Sequence, residues 1–160
     1  MKCKIEDMGF SFFRITLGAY ILIAGWNKLG GLIATGFDPE QFGLLKHFME
    51  QFYGENATIV PWLQIFFPKF VLIGFTWIVP FWEFIAGGLL FIGLFRKYAV
   101  VAILLLLCIF GIGTEASNYP QGQNIWVFVN LIAYYLVYKG LQKDSKDILS
   151  LDNYINKFTR

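Results

Sequence analysis

The stretch from Phe70 to Leu94 contains one ionisable side chain, Glu83, and is otherwise overwhelmingly apolar. A helix needs roughly 20 such residues to cross a bilayer, so this stretch is long enough. An acid at that depth costs about 2.5 to 3.5 kcal/mol even on the lenient insertion scale, which directs it toward a protein partner or a water-filled cavity rather than lipid. The run therefore calls for neighbouring helices around Glu83. Composition agrees: 57% of the 160 residues are hydrophobic and 15% are charged, against about a quarter charged in an ordinary soluble domain. The 18 phenylalanines suit lipid-facing surfaces and aromatic belts. This length accommodates a small helical bundle with short loops and no separate soluble catalytic domain.

Four apolar stretches read as spans, over about 10–29, 70–94, 98–115 and 125–141. The second and third are separated only by Phe95-Arg96-Lys97, which forces a tight antiparallel hairpin. The first contains Arg14, ends in Trp26-Asn27-Lys28 and lacks a small-residue cleavage site, so it reads as a retained helix rather than a signal peptide. With four spans, Lys2, Lys4, Arg96, Lys97, Lys139, Lys143, Lys146, Lys157 and Arg160 share one side, and Lys28, Lys46 and Lys69 the other. The positive-inside rule then puts both termini in the cytoplasm. The expected fold class is all-α: a polytopic membrane protein, one domain over 1–160, with a four-transmembrane-helix bundle.

An extra amphipathic outer segment is expected over 38–67. Asp38-Pro39-Glu40-Gln41 reads as an N-cap, a first-turn proline and a capping-box glutamine. Phe42, Leu45, Phe48, Met49 and Phe52 then recur on one helical face, with Lys46, His47, Glu50 and Gln51 covering the other. The cytoplasmic tail, 142–160, is polar but carries a stripe of Ile148, Leu151, Tyr154, Ile155 and Phe158 that fits a short interfacial helix.

Arg14, Gly18, Ile21, Gly25 and Lys28 share a face of the first helix, and its two glycines admit a close neighbour. Pro80, Glu83, Gly87 and Leu90 share a face of the second. By the helical rise, Arg14 lies about 6 Å from the cytoplasmic end and Glu83 about 16 Å. An Arg14–Glu83 contact has two readings: a structural ion pair between helices, or a proton-active carboxylate beside a bound polar head group, with Arg14 tuning its proton affinity. Toward the opposite end, Lys28 and Glu115 have similar depth and opposite charge, which makes them natural partners, although snorkelling also accounts for Lys28. Asn118 and Asn124 read as helix capping there. Asn130, among Val127, Phe128, Val129, Leu131 and Ile132, calls for an interior partner.

Several chemistries drop out. Cys3 and Cys108 form no CxxC, and His47 stands as the one histidine, so neither a thiol–disulfide catalyst nor a zinc or two-histidine haem site is expected. No metal site, phosphate-binding glycine loop, GxSxG or nucleic-acid-binding basic–aromatic patch is present in the sequence.

Arg14-Ile15-Thr16-Leu17-Gly18 through Gly25-Trp26-Asn27-Lys28-Leu29, then Glu83-Phe84-Ile85-Ala86-Gly87-Gly88-Leu89-Leu90 running into Gly93-Leu94-Phe95-Arg96-Lys97-Tyr98-Ala99, then Asn130 and Ser150-Leu151-Asp152 follow one another in an order that resembles the DoxX family of small four-helix membrane proteins. The resemblance covers nearly the whole chain. It implies a bacterial plasma (inner) membrane protein associated with redox or oxidative-stress complexes, one member being a subunit of thiosulfate:quinone oxidoreductase. It also directs attention to Arg14, Lys28, Glu83 and Asn130. The chain departs from some relatives in having no histidine after the third helix, and in its long outer segment.

Two functions are expected to compete. In the first the chain is a quinone-interacting subunit of a membrane oxidoreductase. Glu83 and Arg14 would be its catalytic pair, and Lys28, Trp77, Trp82, Glu115 and Asn130 would line the ligand site. No group is bound covalently, and since the sequence carries no electron-carrying motif, an oxidoreductase subunit, soluble or membrane-bound, would bring the electron carrier. In the second the chain is a non-enzymatic assembly factor or scaffold whose buried polar residues are helix glue. Its partners are then the lipid bilayer, another membrane protein or a second copy in a homo-oligomer, with no nucleic acid in either case. A small-solute transporter ranks below both, because four helices leave little room for a path.

Overall fold

The computed structural model describes residues 5–38, 49–50, 52–54, 65, 68–116, 121–142, 147 and 149–158. Among them the regular structure is entirely helical: α1 (Ile5–Ala34), α2 (Lys69–Ile92), α3 (Arg96–Ala116), α4 (Gln121–Gln142) and α5 (Leu151–Phe158). Stretches of α1 (Asp7–Ala34) and α2 (Lys69–Ile92) are long and apolar enough to cross a membrane. The 21 residues of α3 and 22 of α4 extend about 32 Å each at the helical rise. The outer segment expected over 38–67, with His47, lies for the most part outside the described residues.

The first helix is longer than the apolar stretch that announced it. It runs through Gly30-Gly31 to Ala34, and the wholly buried Leu32 holds its last turns in place. Its axis runs antiparallel to α2 in close backbone contact. Gly18 lies against Leu90–Phe91, Gly87 against Ile21–Leu22, and Gly25 against Glu83–Phe84; a Cβ on any of the three would collide with the opposite backbone. This is how small residues bring membrane-type helices together without long side chains between them.

The α2–α3 hairpin turns on Gly93-Leu94-Phe95, just before the expected Phe95-Arg96-Lys97. Gly93 is left-handed (φ 76°). The amide of Leu94 donates to Leu89 O (2.9 Å) and that of Gly93 to Leu90 O (3.3 Å), a Schellman ending for α2. Phe95 is also left-handed (φ 49°), and its carbonyl accepts from Ala99 N (3.0 Å), starting α3.

The core gathers Ile21, Ala86, Leu90, Val100, Ile103, Leu107, Tyr134 and Val137 from four helices. Two polar stitches cross it. The Tyr134 hydroxyl of α4 donates to Leu17 O of α1 (2.7 Å), and Trp82 Nε1 of α2 to Ala102 O of α3 (3.1 Å). Both close a polar group that burial would otherwise strand.

Candidate functional site

Gly25 sets the site. With no side chain between the α1 and α2 backbones there, Lys28, one turn further along α1, reaches across to α2. Its Nζ donates to Glu83 Oε1 at 2.5 Å. Glu83 is 3% exposed, whereas the Lys28 side chain is 29% exposed. The ammonium also lies 5.3 Å from the centre of the Phe110 ring of α3, within cation–π range. Trp26 and Phe84 pack as a tilted pair, centroids 5.8 Å apart, beside it. The second carboxylate oxygen, Oε2, is buried and accepts no hydrogen bond among the described residues. An orphaned buried acceptor carries a desolvation penalty of about 1 to 3 kcal/mol, more when charged. The arrangement can hold a proton at Oε2 or accept a hydrogen bond there, and it offers a cation alongside.

The Arg14–Glu83 contact does not form. In the antiparallel register Gly25 faces Glu83, so Arg14 stands eleven residues, about 16 Å, away along α1. Arg14 instead occupies the far end of the α1–α2 seam. Its Nη1 donates to Phe91 O (2.8 Å) and to Leu90 O, its Nη2 to Leu149 O (3.0 Å), and its Nε lies 2.6 Å from Asp147 Oδ2. It thereby supplies donors to two carbonyls in the last turn of α2, Leu90 O being shared with the Gly93 amide. Asp147 also receives Arg96 Nη1 (3.0 Å) and the Ser11 hydroxyl (2.7 Å). Asp152 accepts from Phe95 N (3.1 Å), Arg96 N (3.4 Å) and Arg96 Nε (3.1 Å). Phe95 has no side-chain oxygen with which to cap the first amides of α3, and Asp152 supplies one from the tail. Asp147, Asp152, Ser11 and Arg96 were not singled out as site residues from the sequence. The signals were Arg96 and Asp152, each within a stretch that carries the family resemblance.

The remaining expected residues separate. Lys28 takes Glu83 as a carboxylate partner; Glu115, the partner expected for it, sits in the last turn of α3 with its side chain outside the described residues. Among the described residues Asn130 finds no partner across the bundle of the kind expected. It is half-buried and donates Nδ2 to Trp126 O of its own helix (2.8 Å), the i−4 bond open to any short polar side chain. Trp77 and Trp82 line a cleft of about 580 Å³ between α2 and α3, together with Phe81, Ile85, Leu89 and Tyr98. Glu83 is not part of its wall. The indole N–H of Trp82 is already bonded to Ala102 O, so the cleft offers an apolar, aromatic surface. The structure thus distributes what was expected as one site over three places: a carboxylate–ammonium pair, an apolar cleft and an arginine-centred network.

Among the described residues no cluster of histidine, cysteine and carboxylate side chains could hold a metal ion. The chain matches no family model, no curated protein and no solved structure.

Proposed function

We propose that this chain is a DoxX-like, four-span membrane protein with both termini cytoplasmic, working as a redox-associated subunit of a membrane complex. In this reading the Lys28–Glu83 pair meets the polar end of a lipophilic carrier of the quinone class. Support for the bilayer comes from the outer faces of all four long helices, which carry exposed large apolar residues such as Ile23, Ile85, Leu105 and Ile132. A soluble protein rarely exposes apolar surface on that scale.

The observation that carries the ligand reading is the orphaned Oε2 of Glu83 beside a partly exposed Lys28. A pair serving only as helix glue gains nothing from leaving one buried oxygen open. The residues fit a quinone head group: Lys28 can donate to a carbonyl, and Glu83 can accept from a hydroxyl or hold its proton. The bound quinone would supply the two-electron chemistry. The α2–α3 cleft has room for a prenyl chain but lacks the polar groups a ring would require.

The test is Glu83→Gln in the full chain, reconstituted and titrated with a short-chain ubiquinone analogue. The variant is expected to fold and purify normally and to lose about tenfold in affinity, or about 1.4 kcal/mol, the scale of one hydrogen bond to a charged group. Absence of any quinone-induced stabilisation in the wild type would sink the ligand reading. Misassembly of the variant would move Glu83 to the scaffold alternative. That alternative draws on Arg14, whose donors are committed to the chain's own α2 end and tail.

A further inference from the structure

The last helix turns Asp152 toward the protein. Asp152 faces the α2–α3 turn, where it caps α3 and pairs with Arg96, and its own amide donates to Gly93 O (3.1 Å). Positions 151, 154 and 155 share the other face by their helical spacing, and Leu151, Tyr154 and Ile155 are 42%, 56% and 46% exposed. An amphipathic helix packed on a soluble core does the reverse, burying its apolar stripe. The exposed stripe continues at the same end of the bundle into Leu149, Phe95 and Tyr98. Beside these lies exposed Lys97, and Lys157 follows the stripe within α5.

We infer that α5 is a membrane-surface helix, seated in the headgroup–acyl boundary of an anionic leaflet and clamped to the bundle by Asp147 and Asp152. This inference rests on the spanning reading above and adds the face, the clamp and the lipid charge. A stripe of Leu, Tyr and Ile flanked by lysine matches that boundary, with apolar groups below and cations among the headgroups. The eight-residue helix, about 12 Å long, is too short to provide by itself the roughly 1,000 Å² that a stable protein interface requires. The clamp accounts for how so short a helix is held: the tail meets Arg14, Arg96 and the α2–α3 turn before α5 completes its first turn.

The test uses the full chain in a Cys3→Ser, Cys108→Ser background, reconstituted into phosphatidylethanolamine–phosphatidylglycerol vesicles. Spin labels are placed singly at Leu151→Cys, Tyr154→Cys and Ile155→Cys, and in α4 at Ile132→Cys. Collision rates with oxygen and with a water-soluble nickel chelate are read by electron paramagnetic resonance. Labels at 151, 154 and 155 are expected to favour oxygen, less strongly than the label at 132. Adding Tyr154→Glu and Ile155→Glu is expected to lower the oxygen preference at 151 at least about threefold, by disrupting the apolar face. If the tail labels favour the nickel chelate while the label at 132 favours oxygen, the inference fails and the spanning reading stands. If the label at 132 also favours the chelate, both fail. Dipolar broadening at 154 that disappears on dilution with unlabelled chain would assign the stripe to a second copy and overturn the inference.

Discussion

Arg14 and Asp147 are both fully buried, and a lone charge at either position would face a desolvation penalty of several kcal/mol. They are stable together because the charges balance over four residues: two guanidiniums, Arg14 and Arg96, against two carboxylates, Asp147 and Asp152. Asp147 bridges the two arginines, so it is the member whose loss unbalances the set. Asp147→Asn is expected to destabilise the fold by about 3 to 5 kcal/mol, the usual result of stranding a buried partner. Unfolding in mixed micelles measures it. The double change Arg14→Met with Asp147→Leu removes both buried charges and is expected to cost less than the single one. A loss below about 1 kcal/mol for Asp147→Asn would show the network to be incidental. Arg14 stood out in the sequence because a buried cation in an apolar helix demands a partner. Its true partner could not be read there, since Asp147 precedes the tail's apolar stripe, and that stripe does not say where the tail docks on the bundle. Lys28 and Glu83 were each visible, but their pairing depends on the α1–α2 register, which glycine positions alone leave open.

Helix pairs are held here by absence of side chains as much as by their presence. Gly18, Gly25 and Gly87 interlock α1 with α2, and the shared face of Gly18 and Gly25 was legible from their spacing. The offset of the partner, with Gly25 opposite Glu83–Phe84, emerged only in three dimensions. Not every glycine does this: Gly74, in α2, has no neighbour among the described residues within 4 Å of where a Cβ would stand. Gly25→Ala is therefore expected to destabilise by about 1 to 3 kcal/mol through backbone overpacking and to draw Lys28 off Glu83. Gly74→Ala is expected to be neutral or stabilising by up to about 1 kcal/mol, from helix propensity alone. Thermal midpoints in one detergent compare the two directly. Equal effects would mean that the α1–α2 seam has slack, and the distance at Lys28–Glu83 would then not depend on Gly25.

Across the whole molecule the two ionic centres sit at different levels. Lys28–Glu83 and the Arg14 network are separated by fourteen residues of α1, or about 21 Å, with the apolar core of Ile21, Ala86 and Leu90 between them. That spacing is comparable to the roughly 30 Å hydrocarbon thickness of a bilayer. A span centred on this core therefore places Arg14, Arg96 and the tail near one interface and Lys28 toward the other. The apolar stretches were legible because a helix with apolar residues on its outer as well as its inner face reads as a near-continuous apolar run, and α1 and α2 are long and apolar enough to cross a membrane. The topology that follows is open to a direct check by cysteine labelling with a membrane-impermeant maleimide in a Cys3→Ser, Cys108→Ser chain. Asp38→Cys, beyond the end of α1, and Asn118→Cys, between α3 and α4, are expected to label in intact cells. Lys97→Cys, at the start of α3, is expected to label only after lysis. Labelling of Asn118→Cys only after lysis, with Asp38→Cys still open from outside, would mean that α1 and α2 cross while α3 and α4 do not. The Arg14 network would keep its place, but α3 and α4 would have to lie along the membrane with their exposed apolar faces only half covered, and the four-span reading would give way to a two-span one.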